Sequence, residues 1–333
     1  MRSLKVGIIG LGSWGLSHLE AYRQLPFVEV AAVCDADPER LRAAKEKYGL
    51  TNVYEDAETM LNREKEIELV SIVTFERNHL QPTLLTLQAG KHVLVEKPIT
   101  TDIEEAKLML AASRRYGRFA VPGHLLRFEP KYAEIKQVIE SGRIGKPVSI
   151  YMKRSRENGL FATYQRTHTV YELMIHDLDQ AIWYAGGSKV KKAYATGLSV
   201  TGSKTPEVLW AQLHFESGAV AVLHSNWMTP DAAGIAINDY TEVIGETGTV
   251  HFDTNPAGVQ VWTSSGRSTT DVSIHHRQNG RVIGCLAEQL NYVGQCIVYG
   301  RNPDWISFED ALHGVEVADA IVRSATEGKE ITL

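Results

Sequence analysis

No stretch of the chain approaches the roughly 18 consecutive apolar residues that a membrane-spanning helix needs, so no membrane partner is expected. Cysteine is scarce. Cys34, Cys285 and Cys296 are an odd, scattered set, which argues against a disulfide framework and suits a reducing compartment. Cys34 sits in an apolar run and reads as a small core residue. Positive charge has no surplus either: 35 Lys and Arg face 40 Asp and Glu, a formal net charge of −5. That argues against a nucleic-acid partner. Arg114, Arg115 and Arg118 read as a solvated helix end, while Lys153, Arg154 and Arg156 form a second basic cluster. There is no internal repeat and no low-complexity tract. The first dozen residues carry too little apolar length for a secretory signal, so the expectation is a cytoplasmic protein. What is present is ordinary for a globular chain, 44% hydrophobic and 23% charged. A length of 333 residues exceeds one typical core, so two domains are expected.

Residues 1–122 alternate apolar runs with helical spacing. Strands are expected at Val6–Gly10, Val28–Cys34, Leu69–Thr74, His92–Val95 and Phe119–Val121, with helices at Pro38–Tyr48, Leu80–Gly90 and Asp102–Tyr116. Near-continuous apolar strands separated by helices imply a doubly wound parallel sheet. From 123 to 333 the pattern becomes α+β, with a large, mostly antiparallel open sheet. Its strands are expected at Val148–Arg154, Val190–Ser199, Glu207–Phe215, Ala219–Trp227, Tyr240–Gly245, Thr249–Phe252, Val259–Thr263 and Thr270–His275. One strong helix, Val170–Tyr184, interrupts them, and the C-terminal part is helical again.

The chain is organised around Gly10-Leu-Gly12-Ser13-Trp14-Gly15, which follows the first strand directly. Gly10 permits the turn, Gly12 lets backbone approach a pyrophosphate, and Gly15 lets helix and strand pack closely. Helix N-terminal N–H groups then face an anion. Asp35, twenty residues past Gly15, ends the second strand, where a carboxylate can accept both ribose hydroxyls and repel a 2′-phosphate. NAD is therefore expected over NADP.

Two further stretches can carry chemistry. Glu96-Lys97-Pro98 places a lysine at the carboxyl end of a strand, where a partly desolvated ammonium can move protons. Glu172 and His176 are four apart on the expected helix and so share a face, with Asp179 nearly on it. A carboxylate can fix the tautomer of a histidine and raise its basicity. No third metal ligand stands out, so no metal is expected.

These residues resemble the glucose–fructose oxidoreductase / inositol dehydrogenase / MocA family along nearly the whole chain. The glycine stretch, Asp35, Glu96-Lys97-Pro98 and His176-Asp177-Leu-Asp179 carry the likeness, as do Gly123 to Pro130, Ile244 to Thr249 and Pro303 to Ser324. The resemblance implies a Rossmann domain, a nicotinamide cofactor, and a sugar, cyclitol or nucleotide-sugar substrate. It implies that Lys97, Glu172 and His176 form the catalytic group, and it keeps Thr74 and His79 in a cofactor-facing loop with Glu96. Two positions depart from the pattern: Glu172 stands where aspartate is common, and Phe75 follows Thr74 where proline is common.

The implied reaction is reversible oxidation of a secondary hydroxyl, with His176 or Lys97 taking the proton. Arg127, Lys153, Arg156, Tyr164, Arg166, His168 and Asp179 are candidate substrate contacts, and the cations among them would suit an acidic or phosphorylated substrate. A NAD-using glycosidase and a non-catalytic NAD-binding regulator remain as alternatives. Alternating apolar residues at Val208–Phe215 and Ala219–Leu223 point to a homodimer or homotetramer formed through the open sheet.

Overall fold

The computed structural model describes residues 3–254, 259–263, 266–270, 272–273 and 276–333. The chain divides into two compact units, the first made of residues 1–128 and 273–312 and the second of residues 129–272 and 313–333. The first boundary thus falls six residues beyond the expected 122. The stretch 273–312 also returns to the first unit, which an uninterrupted C-terminal domain at 123–333 does not describe. The cause is the helix Cys285–Tyr299, which packs on the helix Ser13–Tyr22 and close to Leu4 and Phe27.

In the first unit β1 (Leu4–Ile9), β2 (Val28–Cys34), β3 (Val53–Tyr54), β4 (Leu69–Ile72), β5 (His92–Glu96) and β6 (Ala120–Gly123) form one parallel sheet in the order β3-β2-β1-β4-β5-β6. The helices between them are α1 (Ser13–Tyr22), α2 (Pro38–Tyr48), α3 (Ala57–Arg63), α4 (Leu80–Gln88) and α5 (Ile103–Tyr116). Strand order reverses direction at β1. With right-handed crossovers, the reversal puts α1 on one face and α4 and α5 on the other, and opens a crevice at the carboxyl ends of β1 and β4. All four residues of β4 are buried, as a strand covered on both faces requires. Asp37 and Asp102 cap α2 and α5 by accepting two backbone N–H groups each. Glycines in the left-handed region, Gly49 and Gly117, end both helices.

The second unit is built on β7 (Pro147–Glu157), β8 (Val190–Leu198), β9 (Val208–Phe215), β10 (Val220–Thr229), β11 (Asn238–Gly245) and β12 (Thr249–Asp253). A hairpin of β13 (Val259–Thr263) and β14 (Gly266–Thr270) follows them. The strand expected at Thr270–His275 lies partly outside the described residues. A small ribbon in the first unit pairs β15 (Arg277–Gln278) with β16 (Arg281–Val282), and β17 (Ile331–Thr332) closes the chain. The large sheet runs β12-β11-β7-β10-β9-β8-β17, antiparallel except where β10 meets β7. Its helices are α6 (Pro130–Glu140), α7 (Asn158–Tyr164) and α8 (Ile175–Tyr184). The remaining two helices are α9 (Cys285–Tyr299), in the first unit, and α10 (Phe308–Glu327), within which the second boundary falls. In place of one helix over Val170–Tyr184, a π-helical turn, Val170–Met174, leads into α8.

Candidate active site

In the first unit the glycine turn is fixed by backbone collisions that any side chain would cause. Gly10 has φ +99°, and a Cβ there would stand 2.5 Å from the Val73 carbonyl oxygen. A Cβ at Gly15 would stand 1.9 Å from the Gly10 carbonyl oxygen. Gly12 differs, because a Cβ there would meet nothing within 4 Å. Open space over the one glycine and crowding at the other two fit a turn that lets a pyrophosphate approach at Gly12. Gly12 is also the N-cap of α1, and no side chain caps that helix. Ser13 is exposed beside it and Trp14 is half-buried.

Asp35 is buried at the end of β2. Its carboxylate accepts the Leu11 N–H at 2.6 Å and the Asp37 N–H at 2.9 Å, and the Arg40 guanidinium lies 3.7 Å away. It therefore staples β2 to the glycine turn. With roughly four lone-pair sites a carboxylate can do this and still accept ribose hydroxyls.

Lys97 is half-buried at the carboxyl end of β5, and the Lys97–Pro98 bond is cis. Glu96 beneath it is buried and accepts from the Lys97 N–H at 3.1 Å and from His18 Nε2 at 3.0 Å. Burial pushes the Glu96 carboxyl up. The His18 hydrogen bond, with help from Trp14 and Lys97, outweighs burial and holds the group below its ordinary range. An uncompensated buried carboxylate would cost several kcal/mol, so these donors are what permit an ion there. Glycine is required at 123 because a Cβ would lie 2.9 Å from Glu96. Glu96 thus anchors the Lys97 backbone from the interior. His79 plays a similar part, being buried between backbone carbonyls, with Nε2 at 3.0 Å from Thr74 and Nδ1 at 3.1 Å from Pro98 and from Ile99. Burial pushes its pKa down against the pull of those carbonyls. It ties the loop after β4 to the loop after β5 from below. Thr74 heads the upper loop, half-buried. His18 was missed in the sequence; its signal was a histidine on the same α1 face as buried Leu19 and Tyr22.

In the second unit, His176 alone among residues 170 to 182 is not buried. Its neighbours along the chain are held from several sides. Asp177 takes a two-pronged hydrogen bond from buried Arg154, Nε to Oδ2 at 3.0 Å and Nη2 to Oδ1 at 2.7 Å. Arg154 also reaches Asp239 at 2.8 Å and the Tyr132 hydroxyl at 2.9 Å. Burial pushes Asp239 up, and the Arg154 and Arg156 guanidiniums together hold it below its ordinary range. Asp179 is buried and accepts from Gln180 at 3.2 Å. Glu172 lies in the π-helical turn that leads into α8. Its carboxylate accepts from Arg166 Nη2 at 3.1 Å. The Arg166 guanidinium lies 5.8 Å over the Tyr164 ring, and Tyr164 stacks on Trp227 at 5.5 Å. His168 Nδ1 accepts the Val170 N–H at 3.2 Å, and burial pushes its pKa down to about 4, so it is neutral.

Three candidate substrate contacts are placed differently from expectation. Arg127 is buried in the first unit, bonded to the Trp305 carbonyl at 3.2 Å and to Asp310 at 3.1 Å. Arg156 is tied to Asp239 at 2.6 Å. Lys153 alternates with Arg154 along β7, so it projects from the opposite face of the sheet, where it meets Asn238 at 2.9 Å.

A family model described as "Oxidoreductase family, NAD-binding Rossmann fold" matches residues 4–124, and one described as "GFO/IDH/MocA C-terminal domain" matches residues 132–251. The chain belongs to the GFO/IDH/MocA oxidoreductase family. As an NAD-binding oxidoreductase of that family it is similar to D-apiose dehydrogenase of Paraburkholderia graminis, 29% identical over 100% of this chain and 90% of the relative. It is similar to inositol 2-dehydrogenase of Salmonella typhimurium, 30% identical over 54% of each. The fold matches that of scyllo-inositol dehydrogenase from Lactobacillus casei, solved with bound NAD(H) and scyllo-inositol: the TM-score is 0.85, with 23% identity and 99% of each chain covered. The expected parallel N-terminal sheet and mostly antiparallel C-terminal sheet are those of the family. Among the described residues, no helix is long and apolar enough to cross a membrane, and no group of three or more metal-ligating side chains comes together.

Proposed function

We propose that this protein is an NAD-dependent dehydrogenase that oxidises a secondary hydroxyl of a sugar or cyclitol, or reduces the ketone in reverse. The observation that carries the reading is His176, the one residue between 170 and 182 that is not buried, braced by the Arg154–Asp177 pair beside it. NAD, when bound, supplies the hydride acceptor. The His176 imidazole accepts the hydroxyl proton as general base. Lys97 donates a hydrogen bond to the same oxygen and stabilises its developing charge. Glu172 is the carboxylate of this group, its charge engaged by Arg166. Asp35 favours NAD over NADP, since a buried carboxylate repels a 2′-phosphate. The names of the similar apiose and inositol dehydrogenases support the substrate class.

The test is NADH formation across a panel of aldoses, inositols and nucleotide-sugars, with NAD and NADP compared. Turnover of at least one sugar or cyclitol with NAD is expected. Sugar release from a glycoside without net NADH would replace this reading with the glycosidase alternative. Three buried thiols among the described residues are in keeping with the reducing cytoplasm.

We also propose that two copies pair through the outer face of the large sheet. Tyr194, Trp210 and Ile244 are exposed there, and Trp210 stacks on His224 across the β9–β10 pair at 3.8 Å. Light scattering at about 10 µM should give at least twice the chain mass, and Trp210→Glu should give the monomer. A wild-type monomer at that concentration would refute the pairing.

A further inference from the structure

The carboxyl end of β5 holds a buried negative charge directly behind Lys97. Glu96 is the preceding residue, and its carboxylate accepts the Lys97 N–H at 3.1 Å. β6 runs alongside with Gly123 paired to Glu96, and a Cβ there would lie 2.9 Å from the carboxyl group. The carboxylate is therefore fixed from that side. Glu96 is only 4% exposed, and a charge so poorly screened by water acts over a longer distance than one at the surface.

His18 maintains this charge. Burial opposes ionisation of Glu96, and the hydrogen bond from His18 leads the groups that outweigh it. An ionised carboxylate only accepts, so His18 Nε2, at 3.0 Å, donates. The other ring nitrogen, Nδ1, is buried without a hydrogen-bond partner. Leaving it unsatisfied costs stability, so packing alone does not account for a histidine at this place. Two other titratable groups border the pair. Tyr22 of α1 bonds Ser71 at 2.8 Å, and burial pushes its hydroxyl up. His79, which feels both Glu96 and Glu76, is pushed down by burial toward its neutral form. Neither adds a charge at neutral pH. β6 brings Gly123, followed by buried His124.

We propose that Glu96 sets the balance between oxidised and reduced cofactor in the dehydrogenase reading, on which this inference rests: its buried charge favours NAD over NADH, and His18 is the positioning residue that keeps the charge in place. The oxidised nicotinamide ring carries a positive charge that the reduced ring lacks. The rest of the dinucleotide is the same in both forms, so the glycine turn and Asp35 bind the two alike. A fixed anion behind Lys97 acts on the difference alone. The site thus holds the form that substrate oxidation consumes and releases the form it makes.

The experiment measures dissociation constants between about pH 6 and 9, for NADH by its fluorescence and for NAD by displacement of NADH. Glu96→Gln keeps acceptors for Lys97 and His18 and removes the charge; it should shift the NAD/NADH affinity ratio toward NADH by about tenfold. His18→Leu should match the wild-type ratio at the alkaline end and the Glu96→Gln ratio at the acid end, because burial then favours protonation of Glu96. His18→Gln, which restores an N–H donor, should return the ratio to that of the wild type. A purely structural role would weaken both dinucleotides together. An unchanged ratio in Glu96→Gln therefore overturns the proposal and leaves the dehydrogenase reading standing. A His18→Leu ratio equal to wild type at every pH overturns the part given to His18. If Glu96→Gln fails to fold, the pH series of His18→Leu decides. Failure of the wild type to bind either dinucleotide overturns the dehydrogenase reading, and this inference with it.

Discussion

Lys97→Met should lower kcat by about 10³-fold while leaving the NADH dissociation constant within about twofold. Lys97 lies at the carboxyl end of β5, its backbone N–H held by a buried carboxylate. That anchor rests mainly on Glu96 and His18, with the ammonium a lesser contributor to keeping Glu96 ionised. Methionine keeps most of the stem and removes only the charge and its donors, so the loop should keep its shape. The loss then reports proton transfer and oxyanion stabilisation, each worth about 10² to 10³-fold or more. NADH fluorescence separates binding from turnover. His176→Gln should fall by a similar factor, and the double variant should be little worse than the poorer single one, because residues that serve one step are not additive. Retention of more than about a tenth of the wild-type kcat by Lys97→Met would remove Lys97 from the chemistry.

Gly15→Ala should cost at least about 100-fold in NAD affinity and lower the melting temperature by several degrees. The added Cβ would sit 1.9 Å from the Gly10 carbonyl oxygen, backbone against methyl, with no flexible side chain to yield. Gly10 cannot retreat, since its own position is set by the Val73 carbonyl and by its N–H bond to Cys34 at 2.8 Å. The turn must therefore deform. Gly12→Ala makes the contrast. Its Cβ meets nothing within 4 Å, so the fold should keep its melting temperature, and only ligand approach should suffer. Thermal scans with and without saturating NAD measure both quantities, because stabilisation by a ligand follows its concentration relative to Kd. Equal melting temperatures for Gly15→Ala and wild type would contradict the crowding seen at this turn.

What could be read from the chain was local. The glycine turn, Asp35 and Glu96-Lys97-Pro98 are short stretches whose backbone requirements stand within a few residues of each other. The helices of the first unit announce themselves in the same way, through Asp37 and Gly49 or Asp102 and Gly117. What could not be read depended on distant partners. Arg154 read only as part of a basic cluster with Lys153 and Arg156 because Asp177 and Asp239 lie far along the chain, and only the pairing of β7 with β11 and the packing of α8 bring them to it. Lys153 and Arg154 are neighbours in sequence and opposites in a strand. The π-helical turn that replaces the start of the expected helix at Val170–Met174 left no mark in the apolar spacing.

The return of residues 273–312 to the first unit has a consequence for synthesis on the ribosome. In that unit α9 lies against the N-terminal strand, and at Gly294 a Cβ would come within 3.1 Å of Phe27 and 3.4 Å of Leu4. The dinucleotide-binding sheet is thus translated first yet completed late. At roughly 5–20 residues per second, the interval from the end of β6 to residue 312 lasts on the order of 10 to 40 s. During that interval the nascent sheet keeps the apolar ground around Leu4 and Phe27 uncovered while residues 129–272 of the second unit emerge after it.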